Sequence, residues 1–324
     1  MVVKKKAVYG IVKNLIIQKQ QYYNKREEPR MMRKCAAIAI ILVSFVSYGE
    51  CGSPANDNPH ATPSQGALII NHTSVVAFER IPKNYLDKAK ELTLYYVHMS
   101  HGQQIISGLE ALEKADPTYR VAVQFTSSPG LPPEQVPSAL RIYQETLGPD
   151  SFWSTENGMN RTRNAARMNL FHYFLFSWCG EMSSYDSRLV QQYLTSLDRL
   201  ESEFKNVRFI YMTGHVDGGS SALRRNNQQI RDYVKSHGKV LYDFADIESY
   251  DPAGKYYSST GRMNGECTWC PQWCAKHPSD CTDIPESCGH SSRKDGSPYM
   301  AYVCKLKAQA FWVMMARLAG WDGN

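Results

Sequence analysis

Four short segments of the sequence combine residue types that can perform acid–base or nucleophilic chemistry. They are His98-Met99-Ser100-His101-Gly102, Ser177-Trp178-Cys179-Gly180, Gly214-His215-Val216-Asp217 and Cys288-Gly289-His290. A serine hydroxyl becomes a nucleophile when a histidine accepts its proton, and backbone N–H groups can stabilise the resulting oxyanion. Ser100, His290 and the N–H of Gly180 are therefore candidates for nucleophile, base and oxyanion donor.

Each of these segments also has an ordinary structural interpretation. Ser100 suits the N-cap of a following helix, and Gly180 suits a tight turn. Asp217 would accept backbone N–H groups in a capping turn, and His290 would be a surface histidine. The residues alone leave these alternatives open.

The chain around these segments alternates between strand patterns and helix patterns. Apolar and aromatic runs predict strands over residues 92–99, 120–126, 169–178, 207–212 and 240–244. Helical spacing predicts helices over residues 103–114, 187–204, 223–237 and 302–318, the last one amphipathic. The alternation predicts an α/β domain with a parallel sheet and helices on both faces. Ligands bind such sheets at the carboxyl ends of the strands, where we expect Ser100, Gly180 and His215 to meet.

The N-terminal part of the chain has the pattern of an export signal. Basic residues precede the apolar run 35–46, which is shorter than the roughly 20 residues that cross a bilayer. We expect a signal peptide or retained anchor over residues 31–50, with lipidation of Cys51 as an alternative, and hence a secreted or periplasmic protein. Residues 1–30 form a basic extension, consistent with an over-extended start, and residues 51–70 have the composition of a linker.

The charge of the chain is unevenly distributed. Residues 1–34 hold ten Lys/Arg and two Asp/Glu, so the net charge of +6 belongs to the N-terminal extension. The rest of the chain is slightly acidic, which gives no electrostatic support for a nucleic-acid partner.

Six cysteines within residues 267–304 indicate a segment stabilised by cross-links or by a metal. They are Cys267, Cys270, Cys274, Cys281, Cys288 and Cys304. An even cluster behind an export signal favours disulfides. Zinc is the alternative, because Cys267 and Cys270 have ligand spacing and His277 and His290 lie nearby. A second pair with that spacing is missing, so we expect disulfides and no resident metal.

In this order, the four segments resemble the sequence blocks of the SGNH/GDSL hydrolase superfamily, a flavodoxin-like α/β fold of esterases and carbohydrate deacetylases. The resemblance covers about residues 84–320 and is closest to uncharacterised exported SGNH-hydrolase-like proteins with a His-x-Ser-x-Gly first block. It implies a three-layer domain over residues 71–324 with a cysteine-rich segment at 267–304. It also implies Ser100 as nucleophile, His290 as base and Gly180 as oxyanion donor.

The chain departs from the family pattern at two positions. The third block of the family contains an asparagine, which is replaced here by Val216, so His215 is expected to serve as the second donor. The family places an aspartate three residues before the histidine, where this chain has Ser287. The expected substitutes that orient His290, and further supporting residues, are Asp246, Glu286, Asp283, Asp217, His98 and His101.

Three functions are compatible with these residues. The first is an exported serine hydrolase that acts on an ester, with O-acyl groups of a glycan or lipid as substrates and no cofactor. The second is a glycan-binding module that kept the fold but lost activity, using Trp153, Trp178, Trp269 and Trp273 to stack on sugars. The third is a metal site built from His98, His101, His215 and Asp217. Membrane contact is expected only through the N-terminal segment, if it is uncleaved or lipidated.

Overall fold

Buried runs of β-branched and aromatic residues form a sheet at the centre of the domain. The computed structural model describes residues 66–218, 220–257, 266–290 and 298–324. These residues form seven strands: β1 (Leu68–Ile70), β2 (Thr93–His98), β3 (Val121–Gln124), β4 (Leu140–Thr146), β5 (Tyr173–Phe176), β6 (Arg208–Met212) and β7 (Val240–Tyr242).

All pairings between these strands are parallel, in the order β1-β7-β6-β5-β2-β4-β3. The predicted α/β fold with a parallel sheet is therefore confirmed. β2 is buried along its whole length, because strands flank it on both sides and helices cover the sheet.

The strand order reverses at β2. The chain runs outward from β2 to β3 and β4 on one side, and then continues through β5, β6 and β7 on the other. Ligand crevices in open α/β sheets form at such a reversal, outside the carboxyl ends of the strands. In the parallel register Val97 of β2 pairs with Phe176 of β5. Ser100 and Cys179 therefore both follow a paired position by three residues.

The described residues also form nine α-helices: α1 (His72–Val75), α2 (Lys83–Ala89), α3 (Gln103–Ala115), α4 (Glu156–Arg167), α5 (Ser187–Glu203), α6 (Ser221–His237), α7 (Phe244–Ser249), α8 (Cys270–Lys276) and α9 (Tyr302–Leu318). Their mutual contacts divide the helices that cover the sheet into two groups. α9 contacts α1, α2, α3 and α7, whereas α5 contacts α4 and α6.

The structure corrects four of the predicted elements. β1 lies within the residues predicted as a linker, and β4 was not predicted. The last helix, predicted as amphipathic, is buried on nearly all sides because it packs between α3, α2 and α7. Asp246 lies inside α7 rather than in a loop after β7.

Gly238 ends α6 in the left-handed conformation, with φ 59°, which glycine adopts without steric cost.

Disulfides connect all six cysteines of the C-terminal segment. The pairs are Cys267–Cys270, Cys274–Cys281 and Cys288–Cys304. This confirms the preference for disulfides over zinc and is consistent with an extracellular or other oxidising compartment. The predicted basic extension, signal peptide and Cys51 lie outside the described residues. No helix of the described part is long and apolar enough to cross a membrane.

Candidate active site

Ser100 lies in the short loop between β2 and α3, with its side chain exposed. The N-cap of α3 is Gly102, so Ser100 is not the capping residue. A Cβ atom at Gly102 would lie 2.4 Å from the Cβ of His98 and 2.6 Å from the Oγ of Ser177. Gly102 therefore allows the turn to pack closely on the strand ends, and this tight turn presents Ser100 at the surface.

His290 meets Ser100 across a separation of 190 residues. Its Nε2 lies 2.7 Å from the Oγ of Ser100, within hydrogen-bond distance. The preceding Gly289 makes this approach possible, because a Cβ atom there would lie 2.5 Å from the carbonyl oxygen of Ser100. We call Ser100 and His290 the reacting pair.

The surroundings of His290 favour its neutral form. Partial desolvation by neighbouring atoms lowers the pKa of His290 below its usual value, and the neighbouring charge of His215 lowers it further. The carboxylate of Glu266 acts in the opposite direction and raises this pKa. A neutral imidazole can accept a proton from Ser100, which is what a general base must do.

Three imidazole rings form a stack beside the reacting pair. The ring of His101 lies between those of His215 and His290, with centroid distances of 3.6 and 4.1 Å and an interplanar angle of 8° on each side. His101 and His215 are buried, whereas His290 is exposed. The ring of His101 thus covers one face of the His290 ring.

Cys179 follows β5 and lies within reach of two of these residues. Its Sγ is 3.2 Å from the Nδ1 of His101 and 3.4 Å from the Oγ of Ser100. Among the described residues it is the one free cysteine. Only the N–H of the next residue, Gly180, was predicted to belong to the site, so the thiol of Cys179 is an addition from the structure.

Gly180 does not need to be glycine for its own backbone conformation. Its φ is −107°, and a Cβ atom there would meet nothing within 4 Å. The alternative of a glycine required by the turn is therefore wrong. The space in front of this exposed residue is open. The preceding N–H, that of Cys179, already donates to the Glu181 carboxylate at 2.6 Å.

His215 is placed beside the site but is poorly suited as an oxyanion donor. Its Nδ1 lies 3.0 Å from the carbonyl oxygen of Val216, which can only accept. A neutral ring that donates from Nδ1 has no proton on Nε2. His215, predicted to take the place of the family asparagine, thus has no N–H left to donate to an oxyanion when its ring is neutral. Asp217 accepts a hydrogen bond from the Ser183 hydroxyl at 2.6 Å and joins the loops after β5 and β6.

A chain of buried polar side chains holds the loops of His215 and His290. Glu248 accepts from the N–H of Val216 and pairs with Lys307 at 2.8 Å. The Lys307 ammonium also donates to the side-chain oxygen of Gln104, whose amide donates to the carbonyl of Gly289 at 2.6 Å. We call Glu248, Lys307 and Gln104 the buried anchor, because none is more than 2% exposed.

The structure places three of the carboxylates predicted to orient His290 in other surroundings. Asp246 accepts from the backbone and the ring of His72, 174 residues away in sequence. Asp283 and Glu286 line a separate cavity of about 480 Å³ beside the second half of α3. Glu266, to which no sequence pattern assigns a role, is the carboxylate whose charge raises the pKa of His290. The one sequence feature that could have suggested Glu266 is its position directly before Cys267, the first cysteine of the cluster.

His98 supports the strand end rather than the chemistry. Its ring nitrogens lie 3.0 Å from the carbonyl of Met99 and 2.8 Å from the side chain of Gln144. The structure therefore does not group His98, His215 and Asp217 as ligands of one metal ion. His101, the fourth residue of that predicted set, lies next to Cys179 instead.

Three of the four tryptophans proposed to stack on sugars belong to the core. Trp153, Trp178 and Trp269 are each 1% exposed, so their ring faces are not available to a ligand. Trp273 is partly buried and stacks on His277. This removes most of the support for a sugar-stacking surface.

No protein-family model, curated protein or solved structure matches the chain. The resemblance to SGNH hydrolases therefore stays a prediction from the sequence blocks, and the functional argument depends on the geometry of the site.

Proposed function

We propose that the protein is a serine hydrolase that cleaves an ester, with Ser100 as nucleophile and His290 as general base. The observation that carries the proposal is the 2.7 Å contact between Ser100 Oγ and His290 Nε2 at the point where the strand order reverses. A nucleophile within hydrogen-bond reach of a base, at the carboxyl ends of parallel strands, is an arrangement suited to acyl transfer.

The proposed reaction has two steps. The Oγ of Ser100 attacks the acyl carbon while its proton passes to Nε2 of His290, and the ester C–O bond breaks as the alcohol takes this proton. Water then attacks the acyl-serine and gives a proton to His290. The bond between the acyl carbon and Oγ breaks as His290 passes this proton to Ser100, and the acid is released. The charge of Glu266 stabilises the imidazolium that forms in each step.

The oxyanion of the tetrahedral intermediate would bind at the exposed peptide of Gly180. Gly180 is exposed, so its backbone is accessible from solvent, as a peptide that donates its N–H to an acyl oxygen must be. The sequence resemblance suggests O-acyl groups of a glycan or lipid as the substrate class.

The main alternative is a binding module without activity. The buried tryptophans weigh against it, and the intact reacting pair favours the hydrolase. Release of acetate from O-acetylated sugars, measured with the purified chain, separates the two functions. We expect Ser100→Ala to reduce turnover by about 10³-fold or more. Sugar binding without turnover, unaffected by Ser100→Ala, would support the binding module and contradict the hydrolase.

A further inference from the structure

A thiol and two imidazoles meet beside Ser100 in an arrangement that the serine mechanism does not use. The Sγ of Cys179 and one ring nitrogen each of His101 and His290 lie within 4.8 Å of one another. Among the His, Cys, Asp and Glu side chains of the described residues, these three form the group whose ligand atoms lie close enough together to hold one metal ion.

The donor set selects a particular kind of ion. Thiolate and imidazole bind Zn²⁺ and similar soft or borderline divalent ions, whereas Mg²⁺ and Ca²⁺ prefer oxygen. Tetrahedral zinc holds a nitrogen and a sulfur ligand about 3.5 Å apart. The distance from His101 Nδ1 to Cys179 Sγ is 3.2 Å, so these two atoms are already near a bidentate spacing.

The third ligand has to change its orientation to complete the site. The rings of His101 and His290 are stacked nearly parallel, at 8°, and an ion cannot lie in both ring planes at once. His290 is exposed, so its ring has room on the solvent side to rotate out of the stack. His290 would therefore either bind the ion or accept the hydrogen bond from Ser100, but not both at once.

We infer that His101, Cys179 and His290 bind a Zn²⁺-type ion and that Ser100 lies beside its open fourth position. The Cys179 thiol releases its proton to solvent on binding, since the thiolate is the ligand. With Nε2 of His290 on the ion, this nitrogen has no lone pair for the proton of Ser100. Zinc should therefore inhibit ester hydrolysis reversibly. This consequence rests on the proposed function, whereas the binding of zinc does not.

Cobalt binding tests the site without any assay of activity. Titration of the purified, disulfide-intact chain with Co²⁺ should produce a thiolate-to-cobalt charge-transfer band that saturates at one equivalent and disappears when Zn²⁺ is added. Cys179→Ser should lose this band, whereas His237→Gln, at an exposed histidine of α6, should keep it. Absence of the band in the folded wild-type chain, or its survival in Cys179→Ser, would overturn the inference.

Alkylation of the wild-type chain provides a second test that needs no variant. Iodoacetamide should modify Cys179 about tenfold more slowly when Zn²⁺ is present at ten times its Kd, as peptide mapping would show. An equal rate with and without zinc contradicts the inference.

Ser100→Ala should keep the cobalt band, which separates the two proposals. Metal binding without ester hydrolysis would contradict only the proposed function. Hydrolysis without metal binding would contradict only the zinc site.

Discussion

The reacting pair and the buried anchor are both polar, but they differ in exposure and in what they contribute. Ser100 and His290 are exposed and joined by one hydrogen bond. Lys307 and Glu248 form an ion pair, and their side-chain atoms alone are 0% and 3% exposed. We therefore expect the reacting pair to contribute little to the folding stability, since it makes one hydrogen bond at the surface. The anchor, which touches no substrate in this account, carries more of it and positions the loops that bring the pair together.

The largest expected effect comes from the reacting pair. His290→Gln removes the base, and we expect turnover to fall by about 10⁴-fold, with a free energy of unfolding within about 0.5 kcal/mol of wild type. Acetate release and urea unfolding measure the two quantities on the same preparation. A variant that loses several kcal/mol of stability would show that His290 belongs to the anchor instead.

Substitutions in the buried anchor should mainly lower the free energy of unfolding, whereas those in the reacting pair mainly lower turnover. Lys307→Met leaves the Glu248 carboxylate buried without its partner, which costs about 3–5 kcal/mol of unfolding free energy. Turnover should also fall, because the loops at Val216 and Gly289 lose their common support.

Lys83→Met is the matched control for this prediction. It breaks an ion pair with Asp87 whose side chains are 79% and 47% exposed, so it should cost only about 0.3–0.5 kcal/mol. Equal costs for the two variants would contradict the distinction between a buried anchor and ordinary surface pairs. Partial recovery in Lys307→Met combined with Glu248→Gln would support it.

The disulfide Cys288–Cys304 connects the two regions covalently. Cys288 lies two residues before His290, and Cys304 lies on α9, three residues before Lys307. Replacing both cysteines with alanine should cost about 3 kcal/mol and should also reduce turnover, because the loop of His290 loses an attachment.

Replacing the pair Cys274–Cys281 is the control. It closes a shorter loop, with a sequence separation of 7 rather than 16, and should affect stability somewhat less and turnover little. Mild reduction of the wild-type chain should likewise impair turnover before the domain unfolds. Retention of full turnover after loss of Cys288–Cys304 would show that hydrogen bonds alone hold His290.

The smallest expected effect is a shift in the pH profile. Burial and His215 hold the pKa of His290 below its usual range, so kcat/KM should persist to a lower pH than an ordinary histidine base would allow. Activity is lost as the pH falls through this pKa, because the protonated ring cannot accept the Ser100 proton.

Glu266→Gln removes the one carboxylate that raises the pKa of His290 and should move the acidic limb to still lower pH. The measurement is kcat/KM against pH with a chelator present. A limb that moves to higher pH, or does not move, would contradict the assigned influence of Glu266.

Sequence patterns predicted the sheet and part of the site for physical reasons. Long apolar runs end at Ser100 and Cys179-Gly180, and parallel strands bring such ends to one edge. The placement of His290 depended on the family resemblance, since no local pattern connects residues 190 positions apart. β4 was missed because the polar residues Arg141 and Gln144 interrupt its apolar run.

The remaining features of the site depend on packing between distant segments. The contact between Cys179 and His101, and the position of Glu266, follow from how loops meet at the strand ends. Lys307 lies in a helix that was predicted to be amphipathic, and a lysine in such a helix is expected to face solvent. Only the packing of α9 among three other helices shows that it is buried and paired.

Labelling with a fluorophosphonate, followed by peptide mapping, tests the central claim most directly. We expect one modified residue, Ser100, in the folded wild-type chain, and no labelling of Ser100→Ala or of chain unfolded before treatment. Cys179→Ser should still be labelled, since the thiol is not the proposed nucleophile. Absence of labelling in the folded, metal-free chain, or labelling that persists in Ser100→Ala, would contradict the account.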